Sequence, residues 1–447
     1  MNAELIAAYE RRVPRYTSYP TAPHFTPAVS ADTYAEWLRD VPPSERISLY
    51  LHVPFCAELC LYCGCHTTVV RRYAPVAAYA ELLRAEMALV ADRLGVRHPL
   101  SHVHWGGGTP TILTADDLER LGETVAKHFD LSTGAEVAIE IDPRTFKKEQ
   151  AAALARTGVN RASLGVQDFD PVVQRVVNRI QTFERTAEVA AWLRAAGIAS
   201  INLDLMYGLP HQTVDSVVRS VDQALTLRPD RIALFGYAHV PWMKRHQALL
   251  PEASLPKPLD RLAQMNAATE TIKASGYVAI GLDHFALPED GMTRALQSGR
   301  LRRNFQGYTT DDAPTLIGLG TSAIGRLRQG YAQNAPSTVA YRQAIAAGRL
   351  ATVRGVAIAD SDRVRGAIIE RLMCDLSVDL VAVAGATAES EFGDELARID
   401  DMVRDGLVAR QGSRISVPEI ARPLLRNVCS VFDRHLANDG ARHSQAV

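Results

Sequence analysis

Four of the six cysteines in this 447-residue chain fall within one short stretch, at Cys56, Cys60, Cys63 and Cys65. The first three have the spacing C-x3-C-x2-C. Each iron of a [4Fe–4S] cube takes one external ligand, usually a thiolate, so three cysteines leave one iron open for a substrate or cofactor. Cys65 follows Cys63 by only two residues, which hardly reaches another corner of the cube. We therefore predict a [4Fe–4S] cluster ligated by Cys56, Cys60 and Cys63, with Cys65 beside it.

Two other uses of these cysteines are weaker. Zinc also selects thiolates, but structural zinc sites usually need a second ligand pair, and Cys374 and Cys429 are isolated. A disulfide framework is disfavoured because the rest of the chain is poor in cysteine and the N-terminus lacks the apolar core of a secretory signal. An iron–sulfur site is the best interpretation of the spacing.

Composition and charge exclude several classes of protein. The formal net charge is −1, which argues against bulk binding to nucleic acid or to an anionic membrane. No apolar run approaches the ~20 residues that span a bilayer. With 47% hydrophobic residues the chain can form a large core, and its length predicts one large domain plus a smaller one. We expect a soluble, cytoplasmic protein, and in the absence of any argument for assembly we expect a monomer.

The elements that must position the cysteines alternate regularly between strand and helix. Helical stretches separate the strand-like runs, and several of them end in glycine. Such alternation predicts a parallel sheet with crossover helices. The pattern alone leaves open a barrel or a doubly wound sheet. The predicted strands cover 47–53, 103–105, 136–141, 161–166, 200–206 and 231–235.

Residues suited to chemistry follow these strands. The cysteine loop follows the first strand and the glycine run 106–108 follows the second, while Glu140 and Asp204 lie near the ends of later strands. In barrels of parallel strands the active site gathers at the C-terminal ends of the strands. The glycine run by itself is equally well explained as a tight turn. The two carboxylates suit hydrogen bonds to ribose hydroxyls or an amine, and the alternative is a buried salt bridge to Arg144, Arg161 or Arg179.

Nine segments distributed along the chain resemble the oxygen-independent coproporphyrinogen III oxidases, or coproporphyrinogen dehydrogenases, a family of radical S-adenosylmethionine enzymes. The resemblance runs from about Arg15 into the C-terminal region. It is more specific than the cluster motif, which many radical enzymes with other substrates share. The segments are RYTSYPTA (15–22), YLHVPFC (50–56), HWGGGTPT (104–111), IEIDPR (139–144), GVQDFD (165–170), DLMYGLP (204–210), YAHVP (237–241), DHF (283–285) and NFQGYTT (304–310).

This resemblance implies a fold and a reaction. The fold is an α/β, partial (β/α)6 TIM-like barrel, open on one side. The cofactors are one [4Fe–4S] cluster and two S-adenosylmethionine molecules, which supply 5′-deoxyadenosyl radicals. A radical abstracts hydrogen from the β-carbon of a substrate propionate, and loss of CO₂ and one electron leaves a vinyl group. Two such steps convert coproporphyrinogen III into protoporphyrinogen IX in anaerobic haem biosynthesis. The sequence does not identify the electron donor or acceptor.

The resemblance also assigns residues. Positions that match contacts to the S-adenosylmethionine on the open iron are Tyr50, Gly107, Glu140, Ala238 and Ile324. Positions that match contacts to the second molecule are Tyr62, Gly108, Thr109, Gln167, Arg179 and Asp204. Phe305 and Gln306 match a further pair near the reacting centre. It implies catalytic roles for Tyr50, Glu140, Phe305, Gln306 and Cys65.

The two ends of the chain do not continue the alternation of strands and helices that predicts the barrel. We expect an N-terminal extension over the active site at 1–40, the radical S-adenosylmethionine barrel at 41–350 and a small helical domain at 355–447. In that last part, helices at 360–375 and 389–405, a hairpin from 406 and a closing helix at 419–436 suggest a winged-helix-like domain. DNA binding is disfavoured, since its arginines are balanced by Glu419 and Asp433. We expect a cover over the barrel instead.

A tetracarboxylate macrocycle needs a cationic, partly apolar cleft. Two arginine clusters could supply it, because a guanidinium binds a carboxylate in bidentate fashion, although most surface arginines are simply solvated. They are Arg11, Arg12 and Arg15, and Arg300, Arg302 and Arg303. The pair Asp283–His284 could be catalytic or a hydrogen bond in the core.

Two other functions use a similar fold, namely a haem-binding, chaperone-like relative and a haem-modifying radical methyltransferase. Chaperone-like relatives typically lack the segment at 15–22 and carry an aromatic residue at the position of Cys65. Both features therefore favour the oxidase.

Overall fold

Seven parallel strands form the centre of the main sheet in the computed structural model, which describes residues 8–9, 11–131 and 134–436. The strands in chain order are β1 Ile47–Val53, β2 Phe55–Cys56, β3 Thr68–Val69, β4 Leu100–Gly107, β5 Glu136–Ile141, β6 Arg161–Gln167, β7 Ser200–Tyr207, β8 Arg231–Gly236, β9 Val278–Ile280, β10 His284–Ala286, β11 Arg302–Asn304, β12 Gly307–Thr309, β13 Thr315–Leu319, β14 Ile324–Arg326, β15 Gly330–Asn334, β16 Thr352–Ala357, β17 Ser377–Asp379, β18 Ala409–Gln411 and β19 Arg414–Ser416.

Helices separate and cover these strands. In chain order they are α1 Ala31–Arg39, α2 Ala74–Leu94, α3 Ala115–His128, α4 Lys148–Arg156, α5 Pro171–Val176, α6 Phe183–Ala195, α7 Val214–Thr226, α8 Pro258–Ala274, α9 Gly291–Gln297, α10 Thr338–Ala346, α11 Asp360–Asp375, α12 Leu380–Ala384, α13 Ala388–Glu391, α14 Gly393–Arg404 and α15 Leu425–Ser430. Short 3₁₀ turns occupy Ala22–His24, Pro110–Ile112, Arg245–Leu249, Glu252–Ser254 and Glu419–Leu424.

The main sheet is a partial barrel. Its strand order is β16-β15-β14-β13-β1-β4-β5-β6-β7-β8-β10-β9, with β16 and β9 at its two edges. Strands β1 and β4 to β8 pair in parallel in chain order, which confirms the six predicted β/α units. Strand β13 adds a seventh parallel strand beside β1, and it was not predicted. Its five residues are all buried, and no predicted crossover helix precedes them in the sequence to indicate another parallel strand.

Side-chain caps fix the turns that lead from strand to helix. Thr114 Oγ1 accepts a hydrogen bond from the Asp117 N–H, and Thr182 Oγ1 accepts one from the Arg185 N–H. Thr213 and Ser216 cap α7 reciprocally. Such caps satisfy N–H groups that the first helical turn leaves without partners. The starts of α3, α6 and α7 are therefore fixed at defined residues.

The alternation along each strand aims polar side chains into the barrel. In β7 the residues Ile201, Leu203 and Leu205 are buried, whereas Asn202 and Asp204 are half-buried on the opposite face. Successive strand residues point to opposite faces of a sheet, so one set packs against helices and the other faces the interior. The same rule places Glu140 of β5 on the inner face.

A buried carboxylate ties helix α2 to strand β15, to helix α10 and to the loop after β13. Glu86 is 2% exposed and accepts hydrogen bonds from the Gly320 N–H at 2.6 Å, the Tyr341 hydroxyl at 2.7 Å and Asn334 Nδ2 at 2.7 Å. Gly320 itself packs on the backbone of His52, where an added Cβ would lie 2.5 Å from the carbonyl oxygen. The network therefore positions the end of β1, from which the cysteine loop departs.

Burial raises the pKa of Glu86 from 4.5 to about 7. The folded chain then binds more protons than the unfolded chain between these values, so this group lowers the free energy of unfolding as pH rises from about 4.5 to 7. Between pH 5 and pH 7.5 we expect the free energy of unfolding of the wild type to fall by roughly 2 kcal/mol more than that of Glu86→Gln. Urea unfolding of the wild type and of Glu86→Gln at pH 5 and at pH 7.5 measures this difference. Glu81→Gln, on the exposed side of α2, should keep the original dependence, and an unchanged slope in Glu86→Gln would contradict the assignment.

The C-terminal part has an apolar core of its own. It includes Leu372, Phe392, Ile415 and Phe432, and Tyr16 of the N-terminal segment packs into it. Strands β17, β19 and β18 form a three-stranded antiparallel sheet, of which β18 and β19 are the predicted hairpin.

Two helix predictions in this part were wrong in extent. The helix expected at 389–405 is broken at Phe392 into α13 and α14. The helix expected at 419–436 is a 3₁₀ turn, Glu419–Leu424, followed by the short α15. Pro423 lies inside that turn, and proline has no N–H to continue an α-helix. In the described part of the chain, no helix is long and apolar enough to cross a bilayer.

Candidate active site

The cysteine loop between β1 and α2 opens into a cavity of about 1020 Å³ at the C-terminal ends of the barrel strands. Cys56, Cys60, Cys63 and Cys65 all line it. Among the described residues, no three or more His, Cys, Asp or Glu side chains converge on a point that would hold a single metal ion. A cube places each thiolate on a separate iron, so its ligands surround a volume instead of a point.

The loop that follows β8 holds the cysteine loop through its backbone. Lys244 Nζ donates to the Cys65 carbonyl at 2.7 Å and Gln247 Nε2 donates to the Tyr62 carbonyl at 2.8 Å. His246 Nε2 lies 2.8 Å from the Cys63 carbonyl oxygen. Because these contacts use main-chain oxygens, they fix the loop while leaving the thiols for ligands.

Two arginines face the buried thiol of Cys60. Arg144 Nη2 lies 3.4 Å and Arg179 Nη1 lies 3.6 Å from its Sγ. Both guanidinium groups also pair with Asp142, at 2.7 and 3.3 Å. Burial opposes ionisation of Asp142, yet Arg179 and Arg144 hold the pKa of that carboxyl below its ordinary value. Asp142 is shared by both guanidinium groups and the exposed Glu58 pairs with Arg144 alone, at 3.3 Å. The two guanidinium groups next to Cys60 suit an anionic iron–sulfur cluster with thiolate ligands.

Glu140 and the glycine run form one wall of the same cavity. The Gly107 N–H donates to Glu140 Oε2 at 3.1 Å, and His104 Nε2 lies 3.2 Å from Oε1. A Cβ at Gly108 would lie 2.7 Å from the Phe55 carbonyl oxygen, and Gly107 has φ 117°, a backbone conformation that favours glycine. The glycines are therefore required by close backbone packing against the start of the cysteine loop, in addition to any ligand.

The six residues assigned by resemblance to a second S-adenosylmethionine all line this cavity. They are Tyr62, Gly108, Thr109, Gln167, Arg179 and Asp204. Asp204 accepts hydrogen bonds from Ser163 Oγ at 2.9 Å and Asn202 Nδ2 at 2.8 Å. Burial raises its pKa from 3.8 to about 6, and the nearby charge of Glu140 adds to the shift.

The salt-bridge alternative for Glu140 and Asp204 is wrong among the described residues. Arg144 and Arg179 pair with Asp142, and Arg161 pairs with Glu136 and Asp290. The two candidate carboxylates are thus not neutralised by those three arginines.

Comparison with known proteins agrees with this geometry. The pattern of the radical SAM superfamily matches residues 50–224. The oxygen-independent coproporphyrinogen III oxidase of Bradyrhizobium diazoefficiens is 51% identical over 451 residues and covers 100% of both chains. The chain belongs to the oxygen-independent coproporphyrinogen III oxidase family. The Paracoccus denitrificans oxidase of the same name is 46% identical, over 99% of this chain and 98% of its own.

The fold of this family member matches a solved relative over nearly its whole length. The coproporphyrinogen III oxidase HemN from Escherichia coli, described as a radical SAM enzyme, has a TM-score of 0.89 and 35% identity, covering 95% of this chain and 100% of its own. These comparisons support the oxidase interpretation of the sequence and not the haem-handling alternatives.

Of three other assigned residues of this oxidase-family chain, one lines the cavity. Ala238 lines the cavity with Gly107 and Glu140. Tyr50 and Ile324 are not among the described residues that line it. The Tyr50 hydroxyl lies 2.9 Å from His52 Nδ1, and its ring stacks on His104, the residue that contacts Glu140.

A second cavity of about 600 Å³ adjoins the first. Cys65, Trp242 and the residues 235–238 line both cavities, so they form a shared wall. Of these two cavities, Phe305 and Gln306 line only the second. Asp283 and His284 also line it, hydrogen-bonded at 2.7 Å, which places this pair in a cavity wall.

The arginine clusters predicted from sequence divide between this cavity and the surface. Arg12, Arg15 and Arg303 line the second cavity. Arg302 is exposed and pairs with Glu370 at 3.2 Å, and Arg11 and Arg300 are exposed. Sequence reasoning missed Arg261 and Arg426, which line the cavity from helices α8 and α15. Arg261 is the only arginine of its helix, and the sequence pattern groups Arg426 with Arg422 and Arg434 only as a disfavoured DNA contact.

Proposed function

We propose that this chain catalyses the oxygen-independent oxidative decarboxylation of two propionate side chains of coproporphyrinogen III to vinyl groups, giving protoporphyrinogen IX. The chain is an oxidoreductase of porphyrin and haem biosynthesis, and its cofactors are a [4Fe–4S] cluster and two molecules of S-adenosylmethionine. One observation supports the site of this reaction above all others. The three candidate cluster cysteines and all six residues of the second S-adenosylmethionine set line one cavity, and Cys65 joins it to a second, arginine-lined cavity.

The residues divide into three groups by role. Cys56, Cys60 and Cys63 ligate the cluster. Gly107, Glu140, Ala238, Tyr50 and Ile324 serve the S-adenosylmethionine on the open iron. Tyr62, Gly108, Thr109, Gln167, Arg179 and Asp204 bind the second molecule.

The bound cofactors supply the reducing electron and the radical chemistry. The chain's own residues orient the reactants. The Glu140 carboxylate, fixed by the Gly107 N–H, accepts hydrogen bonds from an ammonium or hydroxyl group. Cys65 lines both cavities, so it lies between the cofactor side and the substrate side. Phe305 and Gln306 line the substrate side.

The proposed domains have separate roles in the reaction. We propose that residues 1–40 form an extension over the active site, 41–350 the catalytic barrel and 355–447 a C-terminal helical domain. Within these ranges, residues 1–7, 10, 132–133 and 437–447 lie outside the described residues. Val13, Pro14 and Arg15 line the first cavity from the N-terminal side, which supports a covering role. We propose a cytoplasmic monomer that neither binds nucleic acid nor inserts into membranes, and that exchanges electrons with a donor and an acceptor still to be identified.

Anaerobic incubation with coproporphyrinogen III, S-adenosylmethionine and a low-potential reductant tests the function. The expected result is protoporphyrinogen IX with two CO₂ released per product, together with methionine and 5′-deoxyadenosine. Absence of protoporphyrinogen, with tight binding of haem instead, would overturn the proposal in favour of a haem-handling relative.

The raised pKa of Asp204 predicts a pH dependence of S-adenosylmethionine binding. Above about pH 6 this carboxyl is ionised and accepts hydrogen bonds, whereas below it the neutral acid loses its charge and part of its accepting capacity. We expect affinity at this site to fall as pH decreases from 7 to 5. Equilibrium dialysis with labelled S-adenosylmethionine measures it. Asp204→Asn should bind more weakly at pH 7 and show little change over that interval; a variant with the original pH profile would contradict the role.

A further inference from the structure

The second cavity carries an excess of positive charge. Of the described residues that line it, five are arginines and one is a carboxylate. The arginines are Arg12, Arg15, Arg261, Arg303 and Arg426, and the carboxylate is Asp283. Buried or half-buried charge is costly unless it is paired. A cavity built in this way is complementary to a ligand with several negative charges.

Arg15, Arg303 and Arg426 form the densest part of this charge. Arg303 Nη2 lies 3.4 Å from the Arg15 carbonyl oxygen. Burial, together with the charges of Arg15 and Arg303, lowers the pKa of Arg426 to about 10. In the described part of the chain, Nε and Nη1 of Arg303 are buried and have no hydrogen-bond partner. The Arg303 guanidinium therefore keeps donor capacity that no described residue uses.

Three distant parts of the chain hold this group in place. Arg426 Nη1 donates to the Val13 carbonyl at 3.2 Å, which joins helix α15 to the N-terminal segment. The Tyr16 hydroxyl donates to Asp433 at 3.1 Å and reinforces that junction. The Arg303 guanidinium lies 4.4 Å from the ring centroid of Tyr308. Arginines whose positions are fixed before binding lose less conformational entropy when they bind.

The rest of the cavity suits a pyrrole macrocycle. Phe235, Tyr237, Leu282 and Phe285 line it, and Trp242 stands at the wall shared with the cofactor cavity. Ligand sites typically combine an apolar lining with a few placed polar groups in volumes of roughly 300–1,000 Å³. The 600 Å³ cavity fits that description.

Resting on the function proposed above, we propose that Arg303 and Arg426 bind the propionates that the product retains, so that a reacting propionate is directed across the shared wall toward Cys65. Of these two cavities, both arginines line only the second, whereas Cys65 lines both. A carboxylate on either guanidinium consequently lies on the substrate side of the wall. Arg15, which lines both cavities, neutralises charge between the two positions.

Binding of coproporphyrin III tests this assignment apart from turnover. This fluorescent porphyrin carries the same four propionates as the substrate. We expect Arg303→Gln and Arg426→Gln, each in the cluster-loaded full chain, to bind it at least about tenfold more weakly, the effect of losing one charge-assisted hydrogen-bond pair. Coproporphyrin tetramethyl ester, which lacks the charges, should bind the wild type and both variants alike.

The control is Arg410→Gln, an arginine of the C-terminal hairpin that pairs with Asp400 and lines neither cavity. It should bind coproporphyrin III like the wild type. Iron content and melting temperature establish that each variant is folded. If Arg426→Gln lowers the melting temperature through loss of its contact with Val13, the affinity of Arg303→Gln alone tests the inference. Equal affinities in Arg303→Gln and Arg410→Gln would overturn the inference. Failure of the wild type to form protoporphyrinogen IX would instead overturn the proposed function.

Discussion

Serine at Cys56, Cys60 or Cys63 should leave the chain without its iron–sulfur cluster and without oxidase turnover. Two remaining thiolates cannot hold three irons of a cube, and a serine hydroxyl is a poor substitute for a soft thiolate ligand. Iron and acid-labile sulfide per chain, measured after anaerobic reconstitution together with visible absorption, record the loss. We expect all three variants to behave alike, because all three thiols line the same cavity.

Two further cysteine variants serve as controls for this experiment. Cys65→Ser should keep much of the cluster while reducing turnover, since its thiol is not an expected ligand. Cys374→Ala removes a thiol that is buried far along the chain in another apolar cluster, and it should keep the iron content of the wild type. Full iron and sulfide in Cys60→Ser, complete loss in Cys65→Ser, or zinc in place of iron would each contradict the ligand assignment.

Replacing Glu140 by glutamine should separate cluster assembly from cofactor binding. The substitution removes the charge and presents an N–H₂ group to a donor, either the Gly107 N–H or His104. Hydrogen bonds to charged groups contribute about 1.5–3 kcal/mol, so S-adenosylmethionine should bind about 10- to 100-fold more weakly. Iron content should stay unchanged, because Glu140 contacts none of the candidate cluster ligands in the described hydrogen bonds. Isothermal titration with S-adenosylmethionine measures the loss.

Glu58→Gln is the matched control for that experiment. Glu58 lines the same cavity, but its side chain is exposed and its salt bridge is to Arg144. Exposed ion pairs contribute little, so we expect an affinity within about twofold of the wild type. If Glu140→Gln binds S-adenosylmethionine as tightly as Glu58→Gln does, Glu140 is not a cofactor contact.

Local sequence predicted the barrel well and the C-terminal part less well. Strands β1 and β5 begin and end at the predicted residues. Six or seven residues are enough to recognise a period of two with apolar residues on one face. Strand β13 was missed because a short apolar run does not by itself distinguish a buried strand from other buried chain, and its pairing with β1 is set by the tertiary structure. The break at Phe392 was missed for a related reason: the helical period continues through it, and packing of that ring into the C-terminal core decides the geometry.

The sequence by itself determined the cysteine spacing, the six β/α units and the family. These properties are encoded in short windows of the chain, where ligand spacing and side-chain periodicity have direct physical meaning. Only the tertiary structure decided which arginines share a cavity. Arg15, Arg303 and Arg426 are each more than a hundred positions apart, and they meet because the N-terminal segment packs between the barrel and helix α15. Burial of apolar surface from all three parts brings them together, and no local pattern records it.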